Sequence, residues 1–206
     1  MKWRQSALPI VMLSLLSAVL AFLLSAPDGH ATPVTFVANL VGSLEVPPTG
    51  SPATGHATVT IDAAANTMQV DLSFDGLEAP TTASHVHCCL ALPFETGVNV
   101  GVATTVPFFP GFPIGVTSGS YTHNFDLLDA ASYNPAFITM QGGTVADAEA
   151  ALIAGIEAGK SYLNIHTQEF PSGEIRGFLI ASPEPASLVV LASALLGFGF
   201  LRRRRS

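Results

Sequence analysis

The chain has 206 residues, is 49% hydrophobic and only 11% charged, and carries a formal net charge of −7. Six of its eight basic residues lie at the two ends, so residues 32–182 set thirteen acidic side chains against Lys160 and Arg176 alone. A body with a formal charge of −11 repels phosphate backbones, which excludes nucleic-acid binding.

At the N-terminus, Lys2 and Arg4 precede the uncharged run "ALPIVMLSLLSAVLAFLLSA". A positive start, an apolar stretch and "GHA" at 29–31 read as a signal peptide cleaved after Ala31. The alternative is an uncleaved anchor helix. On either reading the export machinery handles the chain, and residues 1–31 stand outside the fold.

Period-two alternation follows. In "GHATVTID" (55–62) Ala57, Val59 and Ile61 share one face; in "TMQVDLSF" (67–74) Met68, Val70, Leu72 and Phe74 do. Such alternation marks half-buried antiparallel strands, here joined through "AAAN" at 63–66. Further strands are predicted at 34–41, 83–88, 99–106, 119–127, 161–167 and 173–181, punctuated by Pro and Gly clusters. One helix is expected over about 145–158, with Thr144 as cap, Asp147 three residues on and Gly159 as terminator. The predicted fold is therefore all-β, a Greek-key β-sandwich or barrel with one short helix, occupying residues 32–181 as one domain.

"SHVHCCLAL" (84–92) concentrates the reactive side chains. His85 and His87 are two apart and project from one strand face. His166, in "YLNIHT", lies on the polar face of another predicted strand. If the two strands are neighbours, three imidazoles converge on an outer patch, and three neutral nitrogens suit copper or zinc. His56 and His123 are candidates for a fourth ligand. The competing reading is that the three rings only hydrogen-bond loop carbonyls and carboxylates. Cys88 and Cys89 are the only cysteines of an exported chain, where oxidation is permitted. A vicinal disulfide between them is the favoured reading, against free thiols, intermolecular bridges or soft metal ligands. Elsewhere, Glu174 and Arg176 share a strand face and form a candidate exposed pair, and Glu45 beside Pro47 and Pro48 a loop-ordering acceptor. "VPFFPGFPIG" (106–115) sets Phe108, Phe109 and Phe112 among prolines, as a tucked loop or as a contact surface. No nucleophile elbow, phosphate-cradling loop or His-Glu-x-x-His helix occurs in the sequence.

The last 25 residues hold Pro183-Glu184-Pro185, sixteen uncharged residues and then Arg202, Arg203, Arg204 and Arg205. The apolar run is close to membrane-spanning length, with the arginines marking the cytoplasmic side. Their order resembles the PEP-CTERM sorting signal of exopolysaccharide-producing Gram-negative bacteria. That resemblance implies a segment, 182–206, that holds the protein in the membrane transiently until an exosortase cuts near the Pro-Glu-Pro.

Three ordered motifs, "EVPP" with Gly55 following, "HVH", and "YLNIHT" with "GEIRG", resemble the chordin-type (CHRD) domain over residues 34 to about 180. The resemblance implies an immunoglobulin-like β-barrel and assigns no activity. Two functions follow as expectations. One is a non-enzymatic protein of the cell surface or extracellular matrix, associated with exopolysaccharide or biofilm. The other is a copper- or zinc-binding protein or metal-dependent oxidoreductase using His85, His87 and His166.

Overall fold

Alternation decides which face of each strand stays dry, and in the first half of the chain it does so residue by residue. In the computed structural model, which describes residues 32–182, strands β1 (Val34–Val41), β2 (Thr54–Asp62) and β3 (Thr67–Asp75) bury every second side chain. Ala57, Val59 and Ile61 of β2 lie opposite Leu72, Val70 and Met68 of β3, so the expected apolar faces coincide. The "AAAN" connection is a tight turn: Asp62 accepts from the backbone N–H groups of Ala64 and Ala65, and Asn66 takes the left-handed φ of 54°.

Five more strands follow: β4 (Thr81–Cys88), β5 (Gly119–Asp126), β6 (Ser161–Thr167), β7 (Ile175–Phe178) and β8 (Ile180–Ala181). The pairings are antiparallel and form one hydrogen-bonded path, β4-β6-β7-β1-β2-β3-β5, with β8 also on β1. The protein is thus mostly β, built on a curled antiparallel sheet with few helices. Both ends of the path feed a single apolar cluster, Val59, Val70 and Phe125 from one end and Val86, Leu163 and Ile175 from the other.

The sheet turns its corner where β1 leaves β7 for β8. Arg176 pairs with Val41, whereas Ile180 and Ala181 pair with Val37 and Phe36. The expected strand 173–181 is therefore two, separated by Leu179, which is fully buried and whose N–H bonds Ser161. Gly177 allows the crossing, since a Cβ there would lie 2.5 Å from the Asn39 carbonyl oxygen.

Two other expectations need correction. Residues 99–106 form no strand; they bridge the sheet at His87–Val102 and the segment after β5 at Thr104–Tyr133. A few backbone bonds, Cys88 N–H to Gly101 and Ala103 N–H to Val86, are supplemented by side chains: Thr104 Oγ1 accepts from Val86 N–H, and Asn134 Nδ2 donates to the Val102 carbonyl. A second helix, α1 (Pro135–Met140), was not foreseen beside the expected one, α2 (Val145–Glu157). Asn134 caps α1 and Pro135 occupies its first turn, a recognisable start signal, but six residues are too few to display helical periodicity. Thr144 caps α2 by accepting from the Asp147 N–H, while its hydroxyl donates to the Asp147 carboxylate. Ala148, Leu152 and Ile156 of α2 enter the core; Val145 packs at its margin.

The predicted signal peptide (1–31) and the sorting residues Pro183, Glu184, Pro185 and Arg202–Arg205 lie outside the described residues. Among the described residues no helix is long and apolar enough to cross a membrane.

Candidate metal centre

Strands β4 and β6 are neighbours, and their register brings the histidines together. His85 lies opposite Asn164, His87 opposite Tyr162, and Ala83 opposite His166. Residues facing each other across an antiparallel pair share a sheet face. His85, His87, Tyr162, Asn164 and His166 therefore project together, and β7 adds Arg176 and Phe178 beside them. The reverse face of the same strands carries Val86, Leu163, Ile165 and Ile175 into the core.

The polar face was expected to be an outer patch. Instead it is covered, leaving His85 6% and His87 8% exposed and His166 half-buried. The cover is loop chain around Glu45, Val98–Pro107 and Pro171, and it supplies the hydrogen-bond acceptors. His85 Nε2–H donates to the Pro107 carbonyl (2.8 Å), His87 Nδ1–H to Val100 (2.8 Å) and His166 Nδ1–H to Pro171 (2.9 Å). A carbonyl can only accept, so each bond fixes the ring's tautomer. The other nitrogens, His85 Nδ1, His87 Nε2 and His166 Nε2, are left as lone pairs.

Those three nitrogens face one another. A ligand atom from each ring lies within 4.8 Å of the others, and His85 Nδ1 is 3.3 Å from His166 Nε2. Nothing bonds the buried His87 Nε2. Two neutral acceptors at 3.3 Å repel unless a proton, a water or a cation lies between them. A proton is disfavoured: burial first, then nearby charge, pushes His85 and His87 down to about 4. Burial and Arg176 lower His166 as well. Tetrahedral zinc, with nitrogens at ~2.0–2.1 Å, sets them about 3.3–3.4 Å apart. The His85–His166 pair has that spacing, and a separation at the 4.8 Å limit would need to close by ~1.5 Å.

Aromatic rings pack against two of the imidazoles. Tyr162 stacks on His87 with centroids 4.7 Å apart and 9° between planes. Arg176 lies 4.3 Å over the same tyrosine ring. Phe109 meets His85 edge-on at 6.4 Å. The loop "VPFFPGFPIG" is thus tucked, with Phe109 and Phe112 buried, and its Pro107 carbonyl orients a site ring.

The expected surface pair of Glu174 and Arg176 does not form. Arg176 is 1% exposed and pairs with Glu45, Nη2 to Oε2 at 2.6 Å and Nε at 2.7 Å. It also donates to the Val98 carbonyl and to Asn99 Oδ1. Glu174 turns away and accepts from Ser51, Thr167 and the Glu78 N–H. Burial raises the Glu45 carboxyl despite its arginine. Spacing alone could not reveal this ion pair, since its partners stand 131 residues apart.

His56 and His123 do not join the cluster. His56 bonds Asn39 on the β1–β2 surface, and His123 lies opposite Val70, between the rings of Tyr121 and Phe125. Cys88 and Cys89 are joined in a vicinal disulfide across a cis peptide. Cys88 points from the reverse face of β4, so its sulfur is no ligand to the three rings; it packs in the core beside α2.

The family profile of the CHRD domain matches residues 36–179. No curated protein and no solved structure matches the chain.

The low imidazole values set an acid response. In the metal-free protein the unfolded chain takes up protons near pH 6.5, the folded one only near 4. Between these values the unfolded state binds more protons, so stability is complete above pH 6.5 and declines as pH falls. The urea midpoint of chelator-treated protein is expected to drop from pH 6.5 to 5, and His87→Gln to flatten that slope. A midpoint constant over this window contradicts the burial of neutral rings.

Proposed function

The chain belongs to the CHRD domain family, and on that premise we propose that it is an exported protein that holds one copper or zinc ion on His85, His87 and His166. The observation that carries this reading is the convergence of three lone pairs, each fixed by an N–H bond to a loop carbonyl. Metal-ligating histidines characteristically donate their second nitrogen in this way, which sets the ring and raises its basicity. Hydrogen bonding alone accounts for the outward nitrogens and leaves the inward ones facing each other without a donor. Neutral imidazoles suit copper and zinc, copper binding the more tightly in the general series. A body of charge −11 also concentrates cations around it. As for architecture, a Greek-key sandwich or immunoglobulin-like barrel is the finer reading of the curled sheet. It is supported by the crossover that sends β4 and β5 to opposite ends of the strand path.

Metal analysis of protein purified without a tag tests the assignment. Close to one equivalent of copper or zinc is expected, with affinity falling at least about 10–100-fold in His87→Ala. Equal metal content in wild type and in a triple alanine variant would overturn it.

A second reading concerns destination and rests on Pro183-Glu184-Pro185 followed by Arg202–Arg205. On this reading an exosortase of a Gram-negative bacterium removes the tail and delivers the domain to the cell surface or exopolysaccharide matrix. Mass spectrometry of protein recovered from such a host should find a C-terminus near Pro185. Recovery of chains still ending at Ser206 contradicts it.

A further inference from the structure

We propose that Cys88 and Cys89 form a working dithiol–disulfide couple whose oxidation state sets the grip of the adjoining histidine site. The coupling half rests on the metal reading above; the redox half stands on the surroundings of the two sulfurs.

The sulfurs are unequally placed. Cys88 is 3% exposed and belongs to the core, whereas Cys89 is half-buried. Both lie against Gly155 of α2, where a Cβ would overlap the Cys88 sulfur and stand 2.7 Å from that of Cys89. The same point is 3.3 Å from Ser161 Oγ, the side chain opposite Cys88 in the β4–β6 register. Ser161 is fully buried and its hydroxyl has no hydrogen-bond partner. An unbonded buried hydroxyl is costly, a poor choice for lining an inert bridge. The Ala151 carbonyl lies 3.7 Å from Cys89 Sγ and 4.0 Å from Cys88 Sγ. A disulfide has no S–H to donate, so these contacts become hydrogen bonds only in the dithiol form. The seat thus offers polar partners to two thiols that the bridged state leaves unused.

These positions order the exchange. An external dithiol attacks as its thiolate at the more open Cys89 sulfur, breaking the S–S bond and forming a mixed disulfide. The Cys88 sulfur leaves with the bonding pair and takes up a proton, on the same side of the strand pair as the unbonded Ser161 hydroxyl opposite it in the register. The reagent's second thiolate then closes its own disulfide and releases Cys89. Two electrons and two protons pass to the protein, and the reagent leaves oxidised. Once unbonded, the sulfurs must separate from the ~2.05 Å bond length to non-bonded contact, in a seat without room for one methyl group. Cys88 directly follows His87 and bonds the Gly101 carbonyl, next to the Val100 carbonyl that fixes the His87 ring. Displacement at Cys88 therefore moves the ligand before it.

The test counts thiols and measures zinc affinity on untagged protein. Native protein is expected to show no reactive thiol, two after a small dithiol, and none after reoxidation, with far-UV circular dichroism unchanged throughout. Competition with a chromophoric chelator, after removal of the dithiol, should show zinc held about tenfold more weakly by reduced protein and by a Cys88→Ser, Cys89→Ser variant. Thiols that appear only as the dichroism is lost would make the bridge a structural clamp and overturn the couple. Reversible thiols with zinc affinity unchanged in both forms would overturn the coupling. If neither form binds zinc or copper, the metal reading and the coupling fail together, and the thiol count alone still decides the couple.

Discussion

Three hydrogen bonds from imidazole N–H groups to backbone carbonyls organise the functional face. Pro107, Val100 and Pro171 each take the proton-bearing nitrogen of one ring and so choose which nitrogen turns inward. Without them each histidine could rotate or change tautomer, and the three lone pairs would have no common focus. The carbonyls belong to loops outside the strands, tied to β4 by only a few backbone bonds such as Cys88 N–H to Gly101 and Ala103 N–H to Val86, so the site also depends on what else fixes those loops.

They are fixed by a second buried layer. Strands β4, β6 and β7 are covered on both faces, by the apolar core on one side and on the other by the loops lying over Tyr162, Asn164, Arg176 and the histidines. Arg176 reaches from β7 to Glu45 in one loop and to Val98 and Asn99 in another. Removing one partner of such a buried pair typically costs about 3–5 kcal/mol, because the other charge is stranded. The pair thus trades desolvation for a defined position of both loops. Tyr162, between the arginine and His87, links that ion pair to the proposed metal ligands by stacking.

Much of this was legible from spacing. The alternation in 55–62 and 67–74 located β2 and β3, and the Thr144 cap located α2. The shared face of His85 and His87, and the polar face carrying His166, were also readable. Burial was not: polar residues at alternate positions look the same under a loop as under water. The loop at 99–106 looked like a strand because Val100, Val102 and Thr104 alternate too, while its backbone bonds are split between β4, the Ser132–Asn134 segment and side chains. The orienting carbonyls left no signal at all, since every residue carries one. The Glu45–Arg176 pair was missed for a related reason, because the nearer Glu174 offered a local partner that the fold directs elsewhere.

The most direct measurement is nitrogen-15 NMR of the imidazoles in metal-free protein near neutral pH. Protons are expected on Nε2 of His85 and on Nδ1 of His87 and His166, with the remaining nitrogen of each ring unprotonated and shifting on addition of zinc. Rings that exchange between tautomers, or an imidazolium shared by His85 and His166 that zinc leaves undisturbed, would contradict the converging lone pairs.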